Sequence, residues 1–249
     1  MKEIRPLIPV NPEGLDKIAN ELLNENISSS DPIQIGTNPP TNPKDYLILE
    51  TVDGKNNGIG LYVAKAKDFF SKNWYETHEA LNKEGYQMLT IRQGIDLIKL
   101  LKTGKVYDGL KAKLKDAEIA QLFNEIVEVR TPWRAEWLDG RFVKEDNEFY
   151  LLQEHKYDTS KSRSKLEERI IAKNRIKVDP LMKNTRFNLN DVNQYGLPTK
   201  EGTELDYWYP TNGSVAWFRA NSVGAGLICD RDSADSDAGL GVRRAKTMS

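Results

Sequence analysis

The chain reads as an α+β protein. Three observations point there. Two apolar helical stripes in the first half each have their own start and stop signals. Strand-like runs bounded by turn residues lie on both sides of those helices. A C-terminal stretch, Gly213 to Lys246, alternates small or aromatic residues with others of no common chemistry. With 249 residues, 39% of them hydrophobic and 29% charged, the chain can bury a real core under a polar surface, as one large domain or two small ones.

Asn11-Pro12 is a helix start, with Asn as N-cap and Pro at the first helical position. Leu15, Ile18, Ala19, Leu22 and Leu23 then form an apolar stripe at helical spacing. Residues 24–43 are turn-rich, with Ser28-Ser29-Ser30, Asn38-Pro39-Pro40 and Asn42-Pro43. Residues 1–43 are therefore expected to be a helix and linker, suited to packing or homo-oligomer formation, ahead of a main domain from residue 44 to 249. Tyr46–Val52 and Gly58–Ala64 read as a hairpin turning near Asp53-Gly54. Thr90 and Gln93 make a capping box for a helix with the stripe Ile91, Ile95, Ile98 and Leu101, stopped by Gly104. A second helix, with Asp116 as N-cap, runs to Val127 on an apolar face of Ile119, Leu122, Phe123, Ile126 and Val127.

After Pro132 the helical period stops. Trp133 to Tyr157 is expected to form strands broken at Asp139-Gly140 and at Glu145-Asp146-Asn147. Leu181 to Tyr209, rich in Asn, Asp, Gly and Pro, reads as long ordered loops. The tail is expected to supply strands near Val215–Phe218, Gly226–Cys229 and Leu240–Ala245.

Composition excludes several functions. A net charge of -1 gives no electrostatic case for nucleic acid or an anionic membrane, and the basic run Lys161 to Arg175 has no interleaved aromatics. One cysteine, Cys229, permits no intrachain disulfide and fits synthesis in a reducing cytoplasm. The N-terminus lacks the apolar region of a signal peptide, and no stretch approaches the ~20 apolar residues of a membrane span. Any association with a cell surface or virion would depend on other factors.

Chemical candidates are few. The two histidines, His78 in an expected helix and His155 in a charged run, accompany no nucleophile motif and no zinc spacing, so both read as ordinary surface or core residues. Asp230, Asp232, Asp235 and Asp237 suggest calcium, but the helix-loop-helix pattern needs a Glu at position 241, which is Gly. The same aspartates would also suit a basic ligand. Cys229, between apolar neighbours and without a visible base, reads as a small buried hydrophobe. No catalytic residue, metal site or cofactor is expected. Trp133, Trp137, Trp217 and Phe218 read as core, and some of Tyr207, Trp208 and Tyr209 as exposed anchors.

The tail remains the informative stretch. Its frame includes Trp217, Phe218, Gly239, Gly241 and Arg243. Between frame positions stand Arg219, Val223, Ile228, Asp230, Asp232, Ala234, Asp235 and Asp237, which obey no folding rule. A fixed frame carrying miscellaneous residues is what a binding surface looks like, whereas an enzyme site needs specific residue types at specific spacings.

Val215-Ala-Trp-Phe218, Ala225-Gly-Leu227, Arg231 and Ala238-Gly-Leu-Gly-Val-Arg243 resemble the variable proteins of diversity-generating retroelements, the archaeal ones most closely. Gly85-Tyr-Gln-Met-Leu-Thr90 before a helix is similar to the Gly-Tyr-Arg-Leu-Pro-Thr segment of the same subclass. The resemblance covers residue 44 onward and is strongest over the last ~40 residues. It implies a C-type lectin fold of the formylglycine-generating-enzyme subclass, with a variable region at about 207–246. An error-prone reverse transcriptase would then diversify Arg219, Val223, Ile228, Asp230, Asp232, Ala234, Asp235 and Asp237, with Asn221 either unmutated or structural. The implied function is non-enzymatic binding of a macromolecular, protein-type ligand. The enzymes of the subclass use paired cysteines, and this chain has one. The alternative is a phage or virus structural or receptor-binding protein of the same fold, assembled through the N-terminal helix.

Overall fold

Two sheets organise the residues that the computed structural model describes, 39–50, 60–160, 165–178 and 180–248. The first is small and antiparallel, in the order β1 (Tyr46–Glu50), β2 (Gly60–Ala64) and β11 (Ala245–Thr247). The second runs β5 (Ile170–Lys177), β4 (Glu148–Tyr157), β3 (Arg134–Glu145), β8 (Val215–Ala220), β9 (Ala225–Arg231), β7 (Leu205–Trp208) and β6 (Thr185–Phe187), with β10 (Leu240–Gly241) parallel to the start of β3. Its β7–β9 pair is also parallel, and the other pairs are antiparallel. With three helices between the sheets in the chain, the described residues are α+β.

The helices follow their local chemistry. Asn73 and Glu76 form a reciprocal capping box that starts α1 (Trp74–Lys83). Thr90 and Gln93 do the same for α2 (Ile91–Lys102), and Gly104 follows its end at φ +66°. Helix α3 (Asp116–Val127) differs by one residue from expectation: the N-cap is Lys115, without a side-chain cap. Asp116 instead stands in the first turn with Glu118, where a negative charge meets the positive end of the helix dipole. The other end of α3 is closed by Arg134, whose guanidinium donates to the carbonyls of Asn124, Glu125 and Glu128.

The expected break at Asp139-Gly140 is corrected: β3 runs through it, and the pairing with β8 shifts register between Trp137 and Arg141. A bulge keeps the strand and re-aims its side chains. Gly140 leaves room there for α2: a Cβ would stand 2.8 Å from Ile91 Cδ1, so the Ile91 side chain would have to shift. The break at Asp146-Asn147 is a hairpin turn with φ of +49° and +65° at its two central residues. The helix expected after Asn11, the turn between β1 and β2, and the first residues of the basic run at Lys161 lie outside the described residues.

The large sheet has two unlike faces. One, beneath α2 and α3, collects Ala216, Phe218, Ala220, Leu227 and Cys229 with Ile91, Ile95, Ile98, Ile119 and Leu122. The other collects Trp137, Val215, Trp217 and Ile228 against Trp74, Tyr75 and Met88. No helix of the described residues is long and apolar enough to cross a membrane.

Candidate functional site

The expected display positions divide by place. Val223 crowns the β8–β9 turn at 87% exposure. Asn221 beside it is committed to the turn, since its Oδ1 accepts the N–H groups of Val223 and Gly224. At the far end of β9, roughly 20 Å away at ~3.3 Å per residue, the 232–239 connection carries the exposed residues Asp232, Ala234 and Asp237. Asp232 Oδ1 accepts from the Ala234 N–H and Asp237 Oδ1 from the Gly239 N–H, so both carboxylates shape turns. Asp235 pairs with Arg231. Among the described residues these aspartates do not converge as a set of three metal ligands.

Ile228 is the clear correction. It is 5% exposed, packed on the tryptophan face of the sheet, and pairs in register with Trp217 and Trp208. A short strand between two others buries a branched residue at its centre, and a pattern read from chemistry alone cannot see that. A bulge follows at once: Val215 faces Arg231 and Trp217 faces Ile228, leaving Ala216 opposite both Cys229 and Asp230. The side chain that reaches the tryptophan face is therefore Arg231, its guanidinium 4.5 Å from the Trp217 ring, while Asp230 is half-buried beside the bulge.

Between the β8–β9 turn and the 232–239 connection lies a largely buried aromatic cluster. Trp217 stands 5.6 Å from Trp133 and 5.9 Å from Trp137, ring to ring. Among the described residues its indole Nε1 is buried without a hydrogen-bond partner, and so is the Nε of the half-buried Arg219 on the same face. Trp208, beside Ile228, is 43% exposed, while Tyr207 points into the opposite core. Of the frame residues, Trp217, Phe218, Gly241 and Arg243 are buried and Gly239 is half-buried. Arg243 pairs with Glu136 and donates to the Lys65 carbonyl. A Cβ on Gly239 would meet the Trp133 carbonyl at 2.9 Å, and one on Gly241 the Asp68 carbonyl at 3.0 Å. Cys229 is fully buried, and burial, with Asp230 adding to it, pushes its thiol well up, so it is no nucleophile.

A second constellation went unseen in the sequence. His78 on α1, Asp139 in the β3 bulge and His155 on β4 place one ligand-type atom each within 4.8 Å of one another, all buried. His155 Nδ1 lies 2.5 Å from Asp139 Oδ1, and the His155 backbone N–H donates to Asp139 Oδ2 at 3.0 Å. His78 Nε2 lies 3.7 Å from Asp139 Oδ1. The Trp74 ring stands edge-on to both imidazoles, at 4.2 and 4.8 Å, with its own Nε1 anchored on the Leu138 carbonyl at 3.0 Å. Burial drives His78 down to about 3, against the pull of Asp139, so its imidazole is neutral. Burial alone would raise the Asp139 carboxyl, but its interactions with His155, through the ring and the backbone N–H, outweigh that and lower it. The histidines are thus core residues as expected, but they share one carboxylate. Only the three-dimensional meeting of α1 with β3 and β4 could reveal that.

Comparison with known proteins finds no matching family model, no matching curated protein and no matching solved structure.

Proposed function

We propose that the protein is a non-enzymatic binder of a macromolecular ligand, built on a C-type lectin fold whose C-terminal surface is diversified by a retroelement reverse transcriptase. One observation supports this most: in β8, β9 and the connection after them, buried frame residues and exposed miscellaneous residues alternate within a few positions. Ala216, Phe218, Leu227, Cys229, Leu240 and Val242 are all under 5% exposed, while Val223 and Ala234 are exposed and bear no hydrogen-bonding duty beyond their backbone. Substitution at such positions typically changes stability by no more than about 0.5 kcal/mol. The surface that best fits the reading is the strip from Trp208 through Arg219 and Arg231 to Ala234 and Asp235, with Val223 at its other end. Exposed tryptophan and arginine are the residue types that most often anchor protein interfaces. Asn221, Asp232 and Asp237 drop out of the display set on this reading, because their side chains hold turns.

The test is genetic. The DNA around the gene should hold a near-copy of its 3′ end, with adenines in the codons for Arg219, Val223, Ala234 and Asp235, beside a reverse-transcriptase gene. Finding neither the repeat nor the polymerase overturns diversification. A stable trimer in light scattering would then favour the alternative of a phage or virus structural protein.

A further inference from the structure

Independently of the proposed binding surface, we propose that His78, Asp139 and His155 bind one divalent transition metal ion of the zinc class, which pins α1 to β3 and β4. Three observations converge on this site. First, three donor atoms from three elements, two imidazole nitrogens and a carboxylate oxygen, lie within 4.8 Å of one another with all three residues buried. Second, His78 is fully buried and neither of its ring nitrogens has a hydrogen-bond partner among the described residues, although buried polar groups are satisfied in the great majority of cases. Third, the basic groups that approach Asp139 among the described residues are these two imidazoles alone, and no Lys or Arg meets its buried carboxylate. A divalent cation between the three groups supplies a counter-charge and engages the idle His78 Nε2.

The donor set selects the class of ion. Calcium and magnesium take oxygen ligands, whereas two imidazoles and one carboxylate suit zinc and its neighbours. Tetrahedral donors on bonds of 2.0–2.1 Å stand about 3.3 Å apart. The 3.7 Å between His78 Nε2 and Asp139 Oδ1 is already close to that spacing. The 2.5 Å contact of His155 with Asp139 must open by about 0.8 Å, its shared proton passing to solvent as Nδ1 and Oδ1 turn to the ion. The surroundings hold the donors in place. The His155 N–H orients Asp139 Oδ2, and the Trp74 indole, fixed on Leu138, abuts both imidazoles. The site also reaches the tail: the Trp74 N–H donates to the Ser233 carbonyl at 3.1 Å, so an ion that pins α1 also steadies the 232–239 connection.

The experiment uses the untagged full chain, stripped with a chelator and reloaded with zinc or cobalt(II). The expected result is one ion per chain by mass spectrometry of the metal, a cobalt absorption spectrum of low-coordinate nitrogen–oxygen type, and a melting temperature that rises with micromolar zinc. His78→Gln and His155→Gln should each abolish the cobalt spectrum. If either variant does not fold, the stoichiometry and zinc-dependent melting of the natural chain decide. Folded, stripped protein that binds no zinc and melts at an unchanged temperature overturns the proposal. So does an ion retained undiminished by both folded variants, or a response to calcium alone, either of which would place binding elsewhere.

Discussion

The two faces of the large sheet solve opposite problems. The face under α2 and α3 is filled by branched and aromatic side chains in contact with helices whose stripes are visible in the sequence, such as Ile91, Ile95 and Ile98 against Phe142 and Leu151. The charges at its margin have partners, Glu136 for Arg243 and the end of α3 for Arg134, although one guanidinium nitrogen of each, like the Tyr207 hydroxyl, is buried without a hydrogen bond among the described residues. The opposite face holds tryptophans, a buried carboxylate between two histidines, an unpartnered indole nitrogen and a guanidinium stacked on a ring. The first face follows the rules of helix capping and apolar packing, with its few orphaned polar atoms on Arg134, Arg243 and Tyr207. The second departs from them, and departures of that kind concentrate where a protein does something besides fold.

Substitutions can test this contrast. The largest effect is expected at Trp217, the hub of the tryptophan face, only 3% exposed. Trp217→Ala should cost about 3–5 kcal/mol, a melting drop of roughly 6–20 °C for a chain of this size. A loss under about 1 kcal/mol would show that this face is not a core at all. Next comes Gly226→Ala. Its Cβ would stand 2.0 Å from the Asp206 carbonyl oxygen, backbone against side chain in the parallel β7–β9 pair. A cost of about 1–3 kcal/mol, with faster amide exchange along β7, is expected in calorimetry and hydrogen-exchange measurements. Thr90→Ala, which removes the α2 cap on the regular face, should cost about 1 kcal/mol in denaturant titration and leave any ligand binding unaltered. Asp235→Tyr should be the mildest. It removes a partly exposed ion pair with Arg231, worth about 0.2–1 kcal/mol, and the fold should stand. A melting loss comparable to that of Trp217→Ala would erase the distinction between frame and display. A chemical probe separates the faces without mutation: Cys229, sealed in the regular core, should resist alkylation until global unfolding.

Legibility in the sequence follows the same divide. Helices α2 and α3 were readable because an apolar stripe and its capping residues are local signals, and the strands β8 and β9 because small and apolar residues alternate over a few positions. The single strand expected at Leu240–Ala245 is instead two, Leu240–Gly241 on β3 and Ala245–Thr247 on β2, a split set by which sheet each part meets. The continuity of β3 through Asp139-Gly140 was not readable. Asp-Gly is a turn signal, and the bulge in the pairing with β8, with Ile91 of α2 packed close over Gly140, is visible only in three dimensions. The burial of Ile228 depends on neighbours on both sides, Trp208 and Trp217, which come from separate strands. The replacement of Asp230 by Arg231 on the tryptophan face depends on a bulge. The meeting of His78, Asp139 and His155 is wholly tertiary: each looked like a lone residue because its partners come from other elements.

The tip of the β8–β9 hairpin has a consequence for how this surface can change over generations. Asn221 clasps it from inside, accepting from Val223 and Gly224, and its own N–H donates to the Gly224 carbonyl at 3.0 Å. Gly224 is wedged against the Asp206 carboxylate, where a Cβ would stand 2.1 Å from its oxygen. Such a tip accepts almost any side chain at position 223 but no extra residue. An inserted amino acid would break the clasp and slide β9 against its neighbours. Novelty at this end must come by exchanging letters while the length of the word stays fixed.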